Sequence, residues 1–185
     1  MNKLRLFTFL LLAGLFTIQS CKKDTFVGTS YTTKPFQANI NNAVWAPDTV
    51  SNTIFYNSAN GTKTFALTGT KDQKQINMTV ILSNASNTPG FTTGSYTVDG
   101  TSVLINYNTQ VLQNGQYVFL PHGTVSPGSG IITVSSVDSV KKQITGTFNF
   151  YSRSTGVDST GNTVIYIDNI LGGEFTNLPY TFTSN

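Results

Sequence analysis

Few side chains in this sequence could carry out chemistry. The single histidine, His122, lies in the turn-like run Pro121-His122-Gly123. An imidazole can act as a general base or a metal ligand near neutral pH. No acid or second histidine lies within four residues of it, so a loop histidine is expected. The acids beyond residue 34 are Asp48, Asp72, Asp99, Asp138, Asp158, Asp168 and Glu174. Glycoside hydrolysis needs two carboxylates facing each other across a sugar. Spacing leaves Asp168 with Glu174 as the pair to consider, since Asp48, Asp72, Asp99 and Asp138 stand where Asp hydrogen-bonds a local turn. The run Asp158-Ser159-Thr160-Gly161-Asn162 has some calcium-loop character but lacks the further acids and the terminal Glu, and reads as a flexible connection. Gly128-Ser129-Gly130 is too tight for a nucleophile elbow. No phosphate loop or dinucleotide fingerprint occurs. The expectation is a protein that is not an enzyme, with no cofactor and no metal.

The aromatics offer a binding chemistry instead. Tyr151 is out of phase with Phe148 and Phe150, and Tyr166 with Ile165 and Ile167. If these segments form a hairpin across residues 153–162, then Asn149, Tyr151, Val164, Tyr166 and Asp168 share its outer face. Aromatic rings beside amides can stack on a sugar ring or a peptide. A cross-strand pair that only stabilises the hairpin is the plainer alternative. Trp45 reads as a core residue.

The elements that must position these residues are strands. From Phe36 onward apolar side chains recur with period two: Phe36, Ala38 and Ile40, then Ile76, Met78, Val80 and Leu82. Phe65 and Leu67, Val103 with Ile105 and Tyr107, Ile132 and Val134, Phe148 and Phe150, and Ile165 and Ile167 are expected to point inward. Asn41-Asn42, Asn60-Gly61, Asp99-Gly100 and Asn114-Gly115 supply hairpin turns, with Lys71-Asp72-Gln73-Lys74, Pro89-Gly90 and Pro127-Gly128 as further breaks. The fold class is all-β, a single antiparallel β-sandwich or barrel of roughly ten strands over residues 35–185. No stretch shows a helical stripe, and no repeat marks a solenoid or propeller.

Charge excludes one class of partner. Eleven Lys and Arg against eight Asp and Glu give +3. Lys3 and Arg5 belong to an expected export signal, leaving 9 against 8, and Lys22, Lys23 and Asp24 belong to a tether, leaving 7 against 7. Such a domain lacks the basic patch that nucleic-acid binding requires, so no nucleic acid is expected. Residues 1–20 combine two early cations with an apolar run from Leu6 to Ile18. At about 13 residues the run is too short for a span of about 20 and fits a cleaved signal.

The run ends in Ile18-Gln19-Ser20-Cys21, which resembles the lipobox of bacterial lipoproteins, with Gln19 departing from its commonest small residue. The resemblance implies that Cys21 is lipidated, palmitate included, and that cleavage precedes it. It also accounts for a single cysteine, since an unpaired thiol is a liability in an oxidising compartment. Two or three chains, at about 0.8 kcal/mol per buried methylene, make a durable anchor. Residues 21–34 then form the lipidated Cys and a tether. Cys21-Lys22-Lys23-Asp24 resembles the start of mature Bacteroidetes-type lipoproteins. Lys22 stands where some bacteria place an inner-membrane retention Asp, so the outer membrane is expected, on either its periplasmic or its surface side.

A second resemblance lies in the domain. The stretch Phe36-Gln37-Ala38-Asn39-Ile40-Asn41-Asn42-Ala43-Val44-Trp45 is similar to the opening of small Bacteroidetes-type lipoproteins in domain-of-unknown-function families. Ile144-Thr145-Gly146-Thr147-Phe148 and Gly173-Glu174-Phe175-Thr176-Asn177-Leu178 are similar to their closing half. This implies an all-β lipoprotein and carries over no catalytic residue. The leading expectation is a non-catalytic cell-envelope domain, held at the membrane through Cys21, that binds a glycan or an envelope protein. A structural or assembly subunit of an envelope complex is the second expectation. A glycan-active enzyme using Asp168 and Glu174 is the third.

Overall fold

The structure, a computed structural model, describes residues 34–185. The signal at 1–20, Cys21 and the tether up to residue 33 lie outside the described residues. Alternation of apolar with Thr, Ser and Asn suits a pleated surface with one buried face, and the described residues form twelve strands. In chain order they are β1 (Phe36–Ile40), β2 (Ala43–Trp45), β3 (Thr49–Asn57), β4 (Thr62–Lys71), β5 (Lys74–Leu82), β6 (Gly94–Thr97), β7 (Val103–Gln113), β8 (Gln116–Pro121), β9 (Gly130–Asp138), β10 (Gln143–Val157), β11 (Thr163–Pro179) and β12 (Thr181–Ser184).

They form two six-stranded sheets, β2-β1-β11-β10-β9-β6 and β12-β3-β4-β5-β7-β8. The sheets keep separate edges, so the fold is a sandwich and not a closed barrel. Two strands exceed the expected ten or so: the three-residue β2, and β12, which pairs with β3 in parallel. Turn chemistry sets the hairpins. Asn41 and Asn42 have φ of 51° and 67°, the doubly left-handed turn that matches strand twist.

The core lies between the sheets. Phe65, Leu67, Val103, Ile105, Tyr107, Ile132, Val134, Phe148 and Phe150 are buried there, as alternation predicts, and so is Trp45. Ile165 and Ile167 are not: they are 50% and 54% exposed. Two features explain the difference. Buried Ile170 and Asp168 give the core-facing phase of β11 to the even-numbered residues. Residues 154–157 and 163–166 also run beyond their neighbours: β9 leaves β10 at Phe150 and β1 leaves β11 at Ile170, so this arm is a two-stranded ribbon in which both Ile165 and Tyr166, on opposite faces, are at least half exposed.

Gly172 supplies a bulge in β11. Its φ is 57° and its N–H donates to Asn149 Oδ1 at 2.7 Å. The extra residue bends β11 so that Gly173 faces Phe148 and Phe175 returns to the core.

Candidate functional site

The β10–β11 ribbon carries most of the candidate residues and divides them between its two faces. Tyr151 pairs with Asn169, Ser152 with Asp168, and Ser154 with Tyr166. Directly paired residues share a face. Asn149 and Tyr151 therefore stand on the outer face, while Val164, Tyr166 and Asp168 lie on the other, which corrects the expectation of one shared surface. The cause is register: the loop of residues 158–162 pairs Val157 with Thr163, odd with odd. Asp168 and Glu174 also part company. Glu174 accepts a hydrogen bond from Gln37 Nε2 at 2.6 Å in the outward phase beside inward Phe175, whereas Asp168 points inward. They do not flank a common sugar site.

On the outer face an open depression of about 340 Å³ brings together Tyr151, Asn149, Asn169, Ile131, Leu171 and Thr97 beside the turn around Gly128. Tyr151 is 48% exposed. Asn149 uses its Oδ1 on Gly172, which leaves its amide nitrogen free among the described residues. The Asn169 backbone is held on both sides by Asn41: Asn41 N–H donates to Asn169 O and Asn169 N–H to Asn41 Oδ1, each at 2.9 Å. No charged side chain lines the depression. Its chemistry is an aromatic face, two amides, a hydroxyl and aliphatic walls.

On the core-facing side lies a polar cluster that the sequence did not announce. His122 Nδ1 is 2.7 Å from Asp168 Oδ2, and Asn41 Nδ2 donates to Asp168 Oδ1 at 2.7 Å. The aspartate side chain is 13% exposed and the imidazole 46%. With a carboxylate as acceptor the ring proton belongs on Nδ1, and Nε2 is the open nitrogen. Tyr107 meets the ring edge to face at 5.7 Å. Burial, and then the nearby Asp168 carboxylate, raise the Tyr107 phenol above its usual range. The His122 main chain is pinned too: its N–H donates to Tyr107 O, and Ser152 Oγ donates to its carbonyl, at 2.8 and 2.7 Å. Gly123 has φ 96°, and a Cβ there would sit 2.7 Å from Ser152 Oγ, so the close turn after His122 requires glycine.

The clue that could have found this pair is Asp168 itself. An acid two residues before a buried Ile, in the same phase, needs a partner, and only one histidine is available. Among the described residues no group of three metal-ligating side chains forms, and no hydroxyl or thiol hydrogen-bonds the His122 ring, the Ser152 hydroxyl being spent on its carbonyl. The cluster acts as a clamp: it joins the end of β8 in one sheet to β11 in the other.

Two further acids, Asp158 and Asp99, are consumed locally. The Asp158 carboxylate accepts from the Thr160 hydroxyl and the Thr160 and Asn162 N–H groups at 2.7–2.9 Å. The Thr160 hydroxyl, with these N–H groups, lowers its pKa to about 2. The expected flexible connection is thus a loop closed on its own carboxylate. Asp99 likewise accepts from the N–H groups of Val103, Thr101 and Ser102, which hold its carboxyl below the usual range. Lys63 is buried, and its ammonium donates to Thr88 O, Thr88 Oγ1 and Gly90 O at 2.9, 3.1 and 2.8 Å. Burial lowers its pKa. All three of its protons are used to hold the loop before β6, beside a cavity of about 420 Å³.

Residues 32–179 match the family described as Domain of unknown function (DUF6252). The chain belongs to the DUF6252 family. No curated protein and no solved structure matches it. The matched span contains the whole ribbon up to Pro179, so the outer depression and the His122–Asp168 clamp both lie inside the DUF6252 domain.

Proposed function

We propose that this protein is a lipid-anchored, non-catalytic domain of the cell envelope, of the Bacteroidetes lipoprotein type, that binds a neutral glycan on the outer face of the β10–β11 ribbon. The observation that carries the glycan reading is the depression around Tyr151. A half-exposed ring lies there beside the Asn149 and Asn169 amides, with no charge in the lining. Sugar rings present an apolar C–H face to an aromatic ring and hydroxyls to amides, and an amphipathic Tyr side chain suits such a surface. The anchor reading rests on Ile18-Gln19-Ser20-Cys21 and on Cys21 being the single cysteine. It places the protein at the outer membrane and leaves nucleic acid outside its partners.

A glycan array probed with the purified protein, followed by calorimetry on any hit, tests the binding reading. Tyr151→Ala should weaken binding about tenfold, equivalent to about 1.4 kcal/mol. Silence across the array, or equal binding by the variant, refutes it. Labelling cells with a radioactive fatty acid tests the anchor: the natural chain should take up label and Cys21→Ser should not.

A structural or assembly role is the second reading. It draws on the arm, where Val157, Ile165, Tyr166 and Ile167 are each at least half exposed. Crosslinking in cells would then trap one stoichiometric protein partner, and a purely monomeric result would count against it.

A further inference from the structure

A different cavity, well away in sequence from Tyr151, combines charge and apolar surface in a way the fold does not need. The β1–β2 hairpin and the β4–β5 turn bound a space of about 350 Å³, with Ile40, Ala43, Val44 and Trp45 from the first and Lys71 and Lys74 from the second. Lys71 and Lys74 are the closing pair of the β4–β5 ladder, directly opposite each other. Like charges so placed destabilise a hairpin. Two residues further in, Gly69 pairs with fully buried Ile76, so both lysines stand in the core-facing phase, toward the gap.

Neither lysine forms an ion pair with any carboxylate among the described residues. The ion pairs there are His122–Asp168 and Lys141–Asp138. Asp72, in the turn between the lysines, also lines the cavity but makes no ion pair with either, so the lining carries two cations against one anion. The opposite wall is apolar: Ile40, Ala43, Val44 and the nearly buried Trp45. The facing lysines are a local penalty that an anion held between them would relieve.

We propose that this cavity binds an amphiphile with an acidic head, a carboxylate or a phosphate. The anion lies between the ammonium groups of Lys71 and Lys74, which suit it as point charges. The carbon body lies along Ile40, Ala43, Val44 and Trp45. Val44, 78% exposed, marks the mouth where a longer chain would emerge. The site is separate from the glycan depression and stands or falls independently of it.

Trp45 is the single tryptophan, so its emission reports on this cavity alone. The purified full chain is titrated in detergent-free buffer with octanoate, octyl phosphate, 1-octanol and acetate. A saturable change in emission with octanoate or octyl phosphate, weakened by added salt, is expected, and whichever acid binds more tightly identifies the head. The Lys71→Gln/Lys74→Gln double variant, checked for an unchanged circular dichroism spectrum, should bind at least about tenfold more weakly. Tyr151→Ala should bind as the natural chain does. No saturable response to either acid, equal binding by the double variant, or equal binding of 1-octanol overturns the acidic-head assignment. Acetate binding as tightly as octanoate overturns the apolar half of the site.

Discussion

Replacing Asp168 with Ala removes the acceptor that His122 Nδ1 and Asn41 Nδ2 share, both at 2.7 Å. Hydrogen bonds to a charged group are worth about 1.5–3 kcal/mol each when shielded. Asp168 is shielded, but the imidazole is 46% exposed, and solvent screening takes that contact toward about 1 kcal/mol. The Asn41 contact keeps more of its value, because Asn41 also fixes the β11 backbone at Asn169. Removal of the carboxylate also relieves the desolvation of a nearly buried charge. The expected net loss for Asp168→Ala is about 2 kcal/mol, and for His122→Ala about 1 kcal/mol.

A double-mutant cycle separates the pair from its surroundings. Urea unfolding of the natural chain, both single variants and the double variant should give a coupling of about 0.5–1.5 kcal/mol. In thermal melts Asp168→Ala should lower the midpoint by about 4–8 °C, at about 2–4 °C per kcal/mol for a chain of this size. Coupling in the cycle is the signature of two sheets joined through this pair. Additivity within about 0.3 kcal/mol would refute that joining, even if each single variant proved unstable.

Two further outcomes follow from groups held by local hydrogen bonds. Asp158 has its folded-state pKa depressed to about 2, so its contribution is complete above the unfolded value near 3.8 and is lost as pH falls through about 2. Its carboxyl chemical shift should titrate in that window, and a midpoint near 3.8 would mean that the loop is not closed on it. Lys63→Met should leave Thr88 O and Gly90 O without their donor, at about 1–3 kcal/mol, and should speed hydrogen exchange across residues 83–93. Unchanged exchange there would show that the ammonium does not hold the loop.

Most of the fold was legible because turn chemistry and alternation agree. Asn41-Asn42 and Asn114-Gly115 adopt the left-handed φ values their types favour, and every inward residue named on β4, β5, β7 and β9 is buried or packed against the core. Half of the outer site was legible for the same reason: Tyr151 is correctly opposed to Phe150 on a single strand. The His122–Asp168 pair was not, because it joins residues 46 positions apart across two sheets. Strand periodicity carries no information about which loop of one sheet comes to rest on which strand of the other.

The error on β11 has a sharper cause. Two isoleucines at 165 and 167 compete with one aspartate at 168 for the inward phase, and hydrophobicity alone favours the isoleucines by several kcal/mol if burial is available to both. It is not. Tyr166, already in the inward phase there, is itself 53% exposed, so those isoleucines would gain little by facing inward, whereas fully buried Ile170 fixes the phase from the end of this segment that lies over the core. Asp168 then tolerates its inward position because His122 and Asn41 satisfy it. A strand takes its phase from the part that lies over the core, and the part beyond the core inherits it. The same register therefore builds both faces of the ribbon, with the clamp inside and the uncharged Tyr151 depression outside. A one-residue change in the loop of residues 158–162 would turn the arm of one strand over relative to the other and dismantle whichever site lost its partner.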